Sequence, residues 1–153
     1  MDRVSVVFVR AALVWLLLGF GLGALMLSDA VLPGHWRVWF APTHGHMLFV
    51  GWFLQFAIGV GYWLLPRKRL PALPLGYHEG RALLAFALLN GGLLLRVIAE
   101  PAGRMGHAGR PAASVLVASS VLQLAAIVII VTQIWGRIAP KPKRADRSDR
   151  AAS

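Results

Sequence analysis

Two histidines, His44 and His46, open a long apolar stretch in the first half of the chain. With 3.6 residues per helical turn, one face of this stretch carries nearly all of its polar groups. The members of that face are His44, Leu48, Gly51, Gln55 and Tyr62. His46 follows His44 by two residues, about 200° round a regular helix, so the two imidazoles cannot bind one ion together. A histidine in such a place is a candidate ligand for heme iron or for a metal ion.

Heme b is the cofactor that this pattern favours. His44 would supply a neutral imidazole to iron, and the small Gly51 would leave room for the macrocycle. Arg96, near the end of a later apolar run, would pair with the heme propionates. Gln55 and Tyr62 would donate hydrogen bonds to the heme edge or to a bound water.

Other interpretations of the same residues remain open. His44 and His46 would equally cap a helix and meet lipid headgroups. Arg96 stands four residues before Glu100, so the two would also form an ordinary interfacial ion pair. Copper is a weaker prediction than heme because the chain has no cysteine and only 4 methionines. The absence of cysteine also excludes disulfides, iron-sulfur clusters held by thiolates and covalent heme attachment.

The composition indicates an integral membrane protein. Of the 153 residues, 58% are hydrophobic and only 14% are charged, with a mean hydropathy of +0.65. A soluble domain does not have this balance. The net charge of +10 does not predict nucleic-acid binding, because the basic residues lie almost wholly outside the apolar runs. The lipid bilayer is therefore the predicted partner of the apolar surface of this protein.

The apolar runs predict an all-α integral membrane four-helix bundle over residues 1–138. Spans are expected at about 4–26, 43–65, 82–98 and 112–135, because some twenty residues at about 1.5 Å each cross the hydrocarbon core. The connector 29–41 contains tryptophans suited to the headgroup level. Residues 139–153 are basic and polar, which predicts a disordered cytoplasmic tail.

The charge distribution orients the four spans. The side of the bundle that holds both termini carries twelve of the 16 basic residues, namely Arg3, Arg10, Arg67, Lys68, Arg69, Arg81, Arg137, Lys141, Lys143, Arg144, Arg147 and Arg150. The positive-inside rule therefore places both termini in the cytoplasm. His44 and His46 then lie near the outer face, together with His35, Arg96 and His107. His35 and His107 are the candidates for a second iron ligand, and His46 is a third if the helix is locally distorted.

A resemblance to a known family adds to this interpretation. The segment from Thr43 to Arg67, with its histidine-rich start and its Tyr62-Trp63 pair near the end, resembles the second transmembrane helix of subunit I of the heme-copper oxidases. It is most similar to the C-type cytochrome c oxidases and the nitric oxide reductases. The resemblance implies that His44 is an axial ligand of a low-spin heme. The NnrS family of membrane heme and copper proteins has a similar helix start and is the second choice.

The resemblance covers only about 25 residues. Family catalytic subunits have about a dozen spans, and the copper ligands and the other axial histidine belong to helices that this chain lacks. Oxygen or nitric oxide reduction by this chain alone is therefore not expected, and whether it is an enzyme stays undecided. The expected function is heme-based electron transfer in a respiratory chain or a response to O₂ or NO, with a cytochrome c-like donor or a respiratory complex as partner.

Two further expectations concern assembly. His44 of a second copy across a two-fold axis would also complete the iron coordination, which would require a homodimer. The alternative function is a non-catalytic accessory or assembly subunit whose small residues pack against a larger respiratory complex. These small residues are Gly19, Gly23, Gly51, Gly59, Gly91 and Gly92. In either case we expect a multi-pass protein of a bacterial inner membrane.

Overall fold

A computed structural model describes residues 1–28, 34–66, 71, 73–106 and 109–138. Helix α1 spans Arg3–Leu27, and a second helix runs from Trp36 to Leu64. The second helix consists of α2 (Trp36–His46), a π-helical segment (Met47–Leu54) and α3 (Gln55–Leu64). Helices α4 (Glu79–Arg104) and α5 (Gly109–Trp135) complete the fold. The prediction of an all-α fold is confirmed: over the described residues there are four helices long and apolar enough to cross a membrane. The predicted tail, 139–153, lies outside the described residues.

The second helix begins at Trp36, well before the predicted start of the span at residue 43. The prediction of a connector up to Ala41 is therefore wrong for Trp36–Ala41, which are helical. Pro42 inside this helix has no N–H to donate to the carbonyl four residues earlier, at Val38. Arg104 Nη1 of α4 donates to that carbonyl over 3.4 Å. A side chain from another helix thus replaces the missing backbone donor, and the helix continues through the proline.

The π-helical segment changes the geometry that the sequence pattern assumed. Its eight residues form i→i+5 hydrogen bonds, so each turn holds more residues than the 3.6 of an α-helix. Residues spaced for one α-helical face therefore drift apart round the helix axis between His44 and Gln55. Long π-helical stretches are rare and are frequent at functional sites.

Helix α4 extends past the predicted end near residue 98. It continues through Pro101 to Arg104, so the predicted connector beginning at Ala102 is also wrong in its first residues. The helix stops where Gly106 adopts a positive φ of 76°, the left-handed conformation that commonly follows a helix end.

The four helices pack as two hairpins. Helix α1 lies along the second helix, and α4 lies along α5. Two glycines permit the close approach: a Cβ on Gly59 would lie 3.1 Å from the Ser5 carbonyl oxygen, and one on Gly92 would lie 2.9 Å from the Ser119 carbonyl oxygen. A buried core joins the hairpins, and its largest side chains are Phe8, Tyr62, Tyr77 and Leu89.

Arg137 stabilises the end of the bundle at which Tyr62 and Tyr77 lie. We call this end the tyrosine end. Its guanidinium is buried and donates to the carbonyls of Tyr62, Leu65 and Pro66 over 3.0, 2.6 and 3.1 Å. The Tyr62 carbonyl lies in the last turn of α3, where carbonyls lack helical donors, and the Leu65 and Pro66 carbonyls directly follow the helix end. Arg137 also lies over the rings of both tyrosines, 5.9 and 5.4 Å from their centroids. The opposite end, which holds His44 and His46, is called the histidine end below.

Candidate functional site

A groove of about 670 Å³ opens at the histidine end between α1 and the second helix. Its walls are mostly apolar, and its polar members are one imidazole and one guanidinium. The described residues that line it are Phe20, Gly23, Ala24, Met26, Leu27, Arg37, His44 and Leu48. A groove of this size and composition is typical of sites for cofactors and other small molecules.

His44 is held in one orientation by the backbone of α1. Its Nδ1 lies 2.9 Å from the carbonyl oxygen of Gly19. A carbonyl only accepts, so Nδ1 carries the proton and Nε2 keeps its lone pair. Nε2 has no hydrogen-bond partner among the described residues. Histidines that bind metals generally have this arrangement, with one ring nitrogen donating to a carbonyl or carboxylate and the other facing the ligand.

Two glycines of α1, one helical turn apart, make room for this side of the second helix. A Cβ on Gly23 would lie 2.9 Å from Cε1 and 3.6 Å from Nε2 of His44. A Cβ on Gly19 would meet the Leu48 side chain at 2.5 Å. The imidazole therefore lies directly against the backbone of α1, and any side chain at Gly23 would displace it.

His46 faces a different helix and has partners on both ring nitrogens. Its Nδ1 lies 2.9 Å from the Pro42 carbonyl and 3.3 Å from Glu100 Oε1 of α4. Its Nε2 lies 3.3 Å from Arg96 Nη1. Nδ1 therefore faces two acceptors and Nε2 faces a donor, so neither nitrogen of His46 is left for iron. His44 and His46 do not share a site, in agreement with the sequence prediction.

Arg96 belongs to this second set of contacts and not to the groove. It forms the i, i+4 ion pair with Glu100 over 3.3 Å, and both side chains are largely buried. Its Nε donates to Ser119 Oγ over 3.3 Å, and Nη2 donates to Ser120 Oγ. Thr43 Oγ1 completes the set by donating to Glu100 Oε2 over 3.2 Å. We call Thr43, His46, Arg96, Glu100 and Ser119 the ion-pair cluster. The i, i+4 ion pair of Arg96 with Glu100 is confirmed, and the predicted role of Arg96 toward a heme propionate stays a prediction.

The structure places Gly51 and Gln55 in the middle of the bundle, away from the groove. A Cβ on Gly51 would lie 2.7 Å from Trp15 Cγ and 3.0 Å from Leu93 Cδ2, so Trp15 already fills the space beside this glycine. Gln55 is fully buried and exchanges two hydrogen bonds with Asn90, over 3.1 and 3.0 Å. Trp15 Nε1 donates to the same Asn90 oxygen over 2.9 Å. These three polar side chains hold α1, the second helix and α4 together.

Tyr62 lies at the tyrosine end, 18 residues or about 27 Å along the helix from His44. Its hydroxyl accepts a hydrogen bond from Gln133 Nε2 over 3.2 Å, and its ring packs 4.7 Å from that of Tyr77. Its contacts are those of a core side chain that joins the second helix to α5. The structure therefore does not bring Tyr62 to His44.

The remaining candidate ligands are not beside His44. His35 is exposed just before α2, with its ring packed edge-on at 5.9 Å from Trp39, and it precedes His44 by nine residues, about 13 Å of helix. His107 lies outside the described residues. Within the part of the chain that the structure describes, no three His, Asp or Glu side chains come together to hold a metal ion. An iron that is already held by a macrocycle does not need such a group, because it takes only one or two axial ligands from the protein.

Three important positions were missed from sequence. Asn90 carries a polar amide in the middle of an apolar helix, which is itself a signal because such groups are costly in a membrane. Arg37 and Met26 line the groove, but Arg37 falls in the stretch predicted as a connector and Met26 is an apolar residue among many. Neither gives a periodic signal that could have placed it beside His44.

Comparison with family models, with curated proteins and with solved structures gives no match to this chain. The resemblance to heme-copper oxidase subunit I therefore stays a prediction, and the function is argued below from the groove itself.

Proposed function

We propose that this chain is a multi-pass inner-membrane protein that binds heme b in the groove at the histidine end, with His44 as the axial ligand. Four helices of sufficient length and apolar character support the membrane location. Large apolar side chains such as Leu17, Phe20 and Leu124 are exposed on the outside of the bundle, where lipid would cover them. The bias of basic residues toward the tyrosine end favours an outward-facing histidine end.

The observation that carries the heme proposal is the state of His44. Its Nδ1 proton is committed to the Gly19 carbonyl, and its Nε2 lone pair is left for a ligand. His46 has the same ring and lies at nearly the same level, but both of its nitrogens are engaged. Of these two histidines, only His44 is arranged as heme-binding histidines are.

The groove supplies the other requirements of a heme site. Phe20, Leu27 and Leu48 line it with apolar surface that suits a porphyrin and keeps water from it. Arg37 lines the same groove, and its guanidinium is suited to a propionate in the role that the sequence gave to Arg96. Heme b, when bound, would supply a one-electron redox couple.

In that function, the residues of this chain would hold the heme and set the dielectric around it. His44 would hold the heme, and its hydrogen bond to the Gly19 carbonyl fixes the orientation of the imidazole ring. The apolar walls set the dielectric around the site and hence its potential. Electron exchange with a cytochrome c-like donor or a respiratory complex would take place at the outer face.

An absorption spectrum tests this proposal. The protein purified in detergent from heme-replete cells should show a b-type Soret band in the wild type and in His78→Ala, whose histidine lies at the tyrosine end. The band should be lost in His44→Ala. A heme-free wild type would refute the proposal.

A heme-free protein would favour the alternative function, a non-catalytic subunit of a larger membrane complex. One feature supports that alternative: in the apolar window of α5 only 17% of the residues are buried inside the chain, against 33% in the other three helices. Helix α5 therefore has the most surface available for a neighbour. Copurification with a respiratory complex, without any chromophore in the isolated chain, would establish it.

A further inference from the structure

In the proposed site, His44 would bind the iron from one face of the heme. The residues that line the groove indicate which side chain would bind it from the other face. A b-type iron commonly takes its second axial ligand from a histidine nitrogen or a methionine sulfur. Besides His44, Met26 is the one side chain with such an atom among the described residues that line the groove. Building on the proposed heme function, we infer that Met26 is the second axial ligand.

The position of Met26 on α1 supports this assignment. The His44 imidazole lies against Gly23, where a Cβ would be 2.9 Å from Cε1. Met26 follows Gly23 by three residues, which places it one turn further along the same face of α1, a rise of about 4.5 Å. Met26 and His44 therefore lie close together in the lining of one groove. The methionine side chain is unbranched and flexible, so it adapts to the exact thickness of what it holds.

The histidines expected from sequence are less suitable. His46 has both ring nitrogens engaged by the ion-pair cluster and Pro42. His35 packs on Trp39 at the beginning of α2, more than two turns from His44. Neither reaches the groove without breaking the contacts that hold it.

Ligation by histidine and methionine has a definite spectroscopic and redox consequence. Methionine ligation raises the reduction potential of a heme relative to ligation by two histidines. The wild type should therefore be six-coordinate and low-spin, with a potential that favours the reduced state, and it should react slowly with carbon monoxide because no coordination position is open.

Two substitutions at Met26 test the inference. Met26→Leu should keep the heme, since His44 remains, but should turn it high-spin and allow rapid carbon monoxide binding. Met26→His should restore a low-spin spectrum and lower the midpoint potential below that of the wild type. Met105→Leu is the matched control, because Met105 lies at the end of α4 and does not line the groove; it should match the wild type.

The outcomes separate this inference from the proposal on which it rests. A heme-containing Met26→Leu protein with an unchanged spectrum and potential would overturn the role of Met26 and leave the heme site of His44 standing. A high-spin wild type would also overturn the role of Met26 and leave the heme site of His44 standing. A wild type without heme would overturn both.

Discussion

The two sides of the second helix at the histidine end use the same residue type in opposite ways. On the groove side, His44 has one nitrogen anchored and one nitrogen without a protein partner. On the α4 side, His46 has both nitrogens hydrogen-bonded inside the ion-pair cluster. The difference arises from the neighbouring helix: α1 presents two glycines and an apolar wall, whereas α4 presents Arg96 and Glu100.

This difference shows that the residue type and its level in the bundle do not by themselves identify an iron ligand. A histidine is available to iron only when its surroundings fix one nitrogen and leave the other unoccupied. The ion-pair cluster satisfies its own members and so acts in packing, while the groove has an unsatisfied acceptor facing open space. Substitutions in the groove and in the ion-pair cluster test this contrast.

Closing the groove should abolish heme binding without altering the ion-pair cluster. Gly23→Val puts a side chain where even a Cβ would lie 2.9 Å from the His44 ring. We expect heme occupancy to fall by at least about tenfold, equivalent to about 1.4 kcal/mol of binding free energy. Occupancy is measured from the heme-to-protein ratio after purification.

Gly21→Val is the matched control for that substitution. A Cβ at Gly21 has no atom within 4 Å, and the change in helix propensity is the same. Heme occupancy should stay at the wild-type value. Equal loss of heme in both variants would show that α1 is sensitive to any valine and that the groove is not the cause.

Breaking the ion-pair cluster should instead lower stability and leave the heme in place. Glu100→Ala removes the carboxylate that partners Arg96, Thr43 and His46. We expect a loss of about 2 to 3 kcal/mol in the free energy of unfolding, because a largely buried guanidinium loses its counter-ion. Denaturant titration in detergent measures it.

Glu79→Ala provides the comparison within the same helix. Glu79 lies in the first turn of α4, where its interaction with the helix dipole contributes about 0.3 to 1 kcal/mol. If Glu100→Ala cost no more than Glu79→Ala, or if it removed the heme, the separation of the two sides of the second helix would be wrong.

The amide cluster in the middle of the bundle should show a smaller effect. Asn90→Ala removes the acceptor of Trp15 Nε1 and both partners of Gln55. We expect a loss of about 1 to 2 kcal/mol in the free energy of unfolding. A double-mutant cycle with Trp15→Phe should give a coupling of about 0.6 kcal/mol. Zero coupling would mean that the indole hydrogen bond does not help to hold α1 to α4.

Arg37→Gln should have the smallest effect. The guanidinium lines the groove and is exposed to solvent, so its attraction to a propionate is screened and is worth at most about 1 kcal/mol. Heme should dissociate a few-fold faster than from the wild type, measured by transfer to apomyoglobin. Arg81→Gln is the control, since Arg81 is exposed near the beginning of α4 and does not line the groove, and its rate should not change.

Much of the fold could be predicted from the sequence because apolar runs report directly on spans. All four helices were found, and the ends of α1 and α5 lie close to their predicted positions. The differences occur near prolines: the second span was expected to start just after Pro42 and the third to end near residue 98, before Pro101, but both prolines lie inside helices. For Pro42 the reason is the Arg104 side chain, which comes from another helix and donates to the carbonyl that the proline leaves without a donor. No local sequence pattern contains that information.

The site could be predicted only in part. His44 was predicted as a ligand from its position at the start of the span, and that role stays a prediction. Its alignment with Gly51, Gln55 and Tyr62 assumed a regular α-helix. The π-helical segment Met47–Leu54 breaks that periodicity, and the structure distributes the four residues over the groove, the middle of the bundle and the tyrosine end. Arg37 and Met26 reach the groove through packing between helices, which sequence spacing does not encode.

The heme-to-protein ratios of His44→Ala and His46→Ala, purified side by side with the wild type, show which of the two histidines holds the heme. We expect His44→Ala to be free of heme and His46→Ala to keep the wild-type ratio while unfolding at a lower denaturant concentration. Retention of heme by His44→Ala together with its loss from His46→Ala would overturn the assignment of the heme site to the groove.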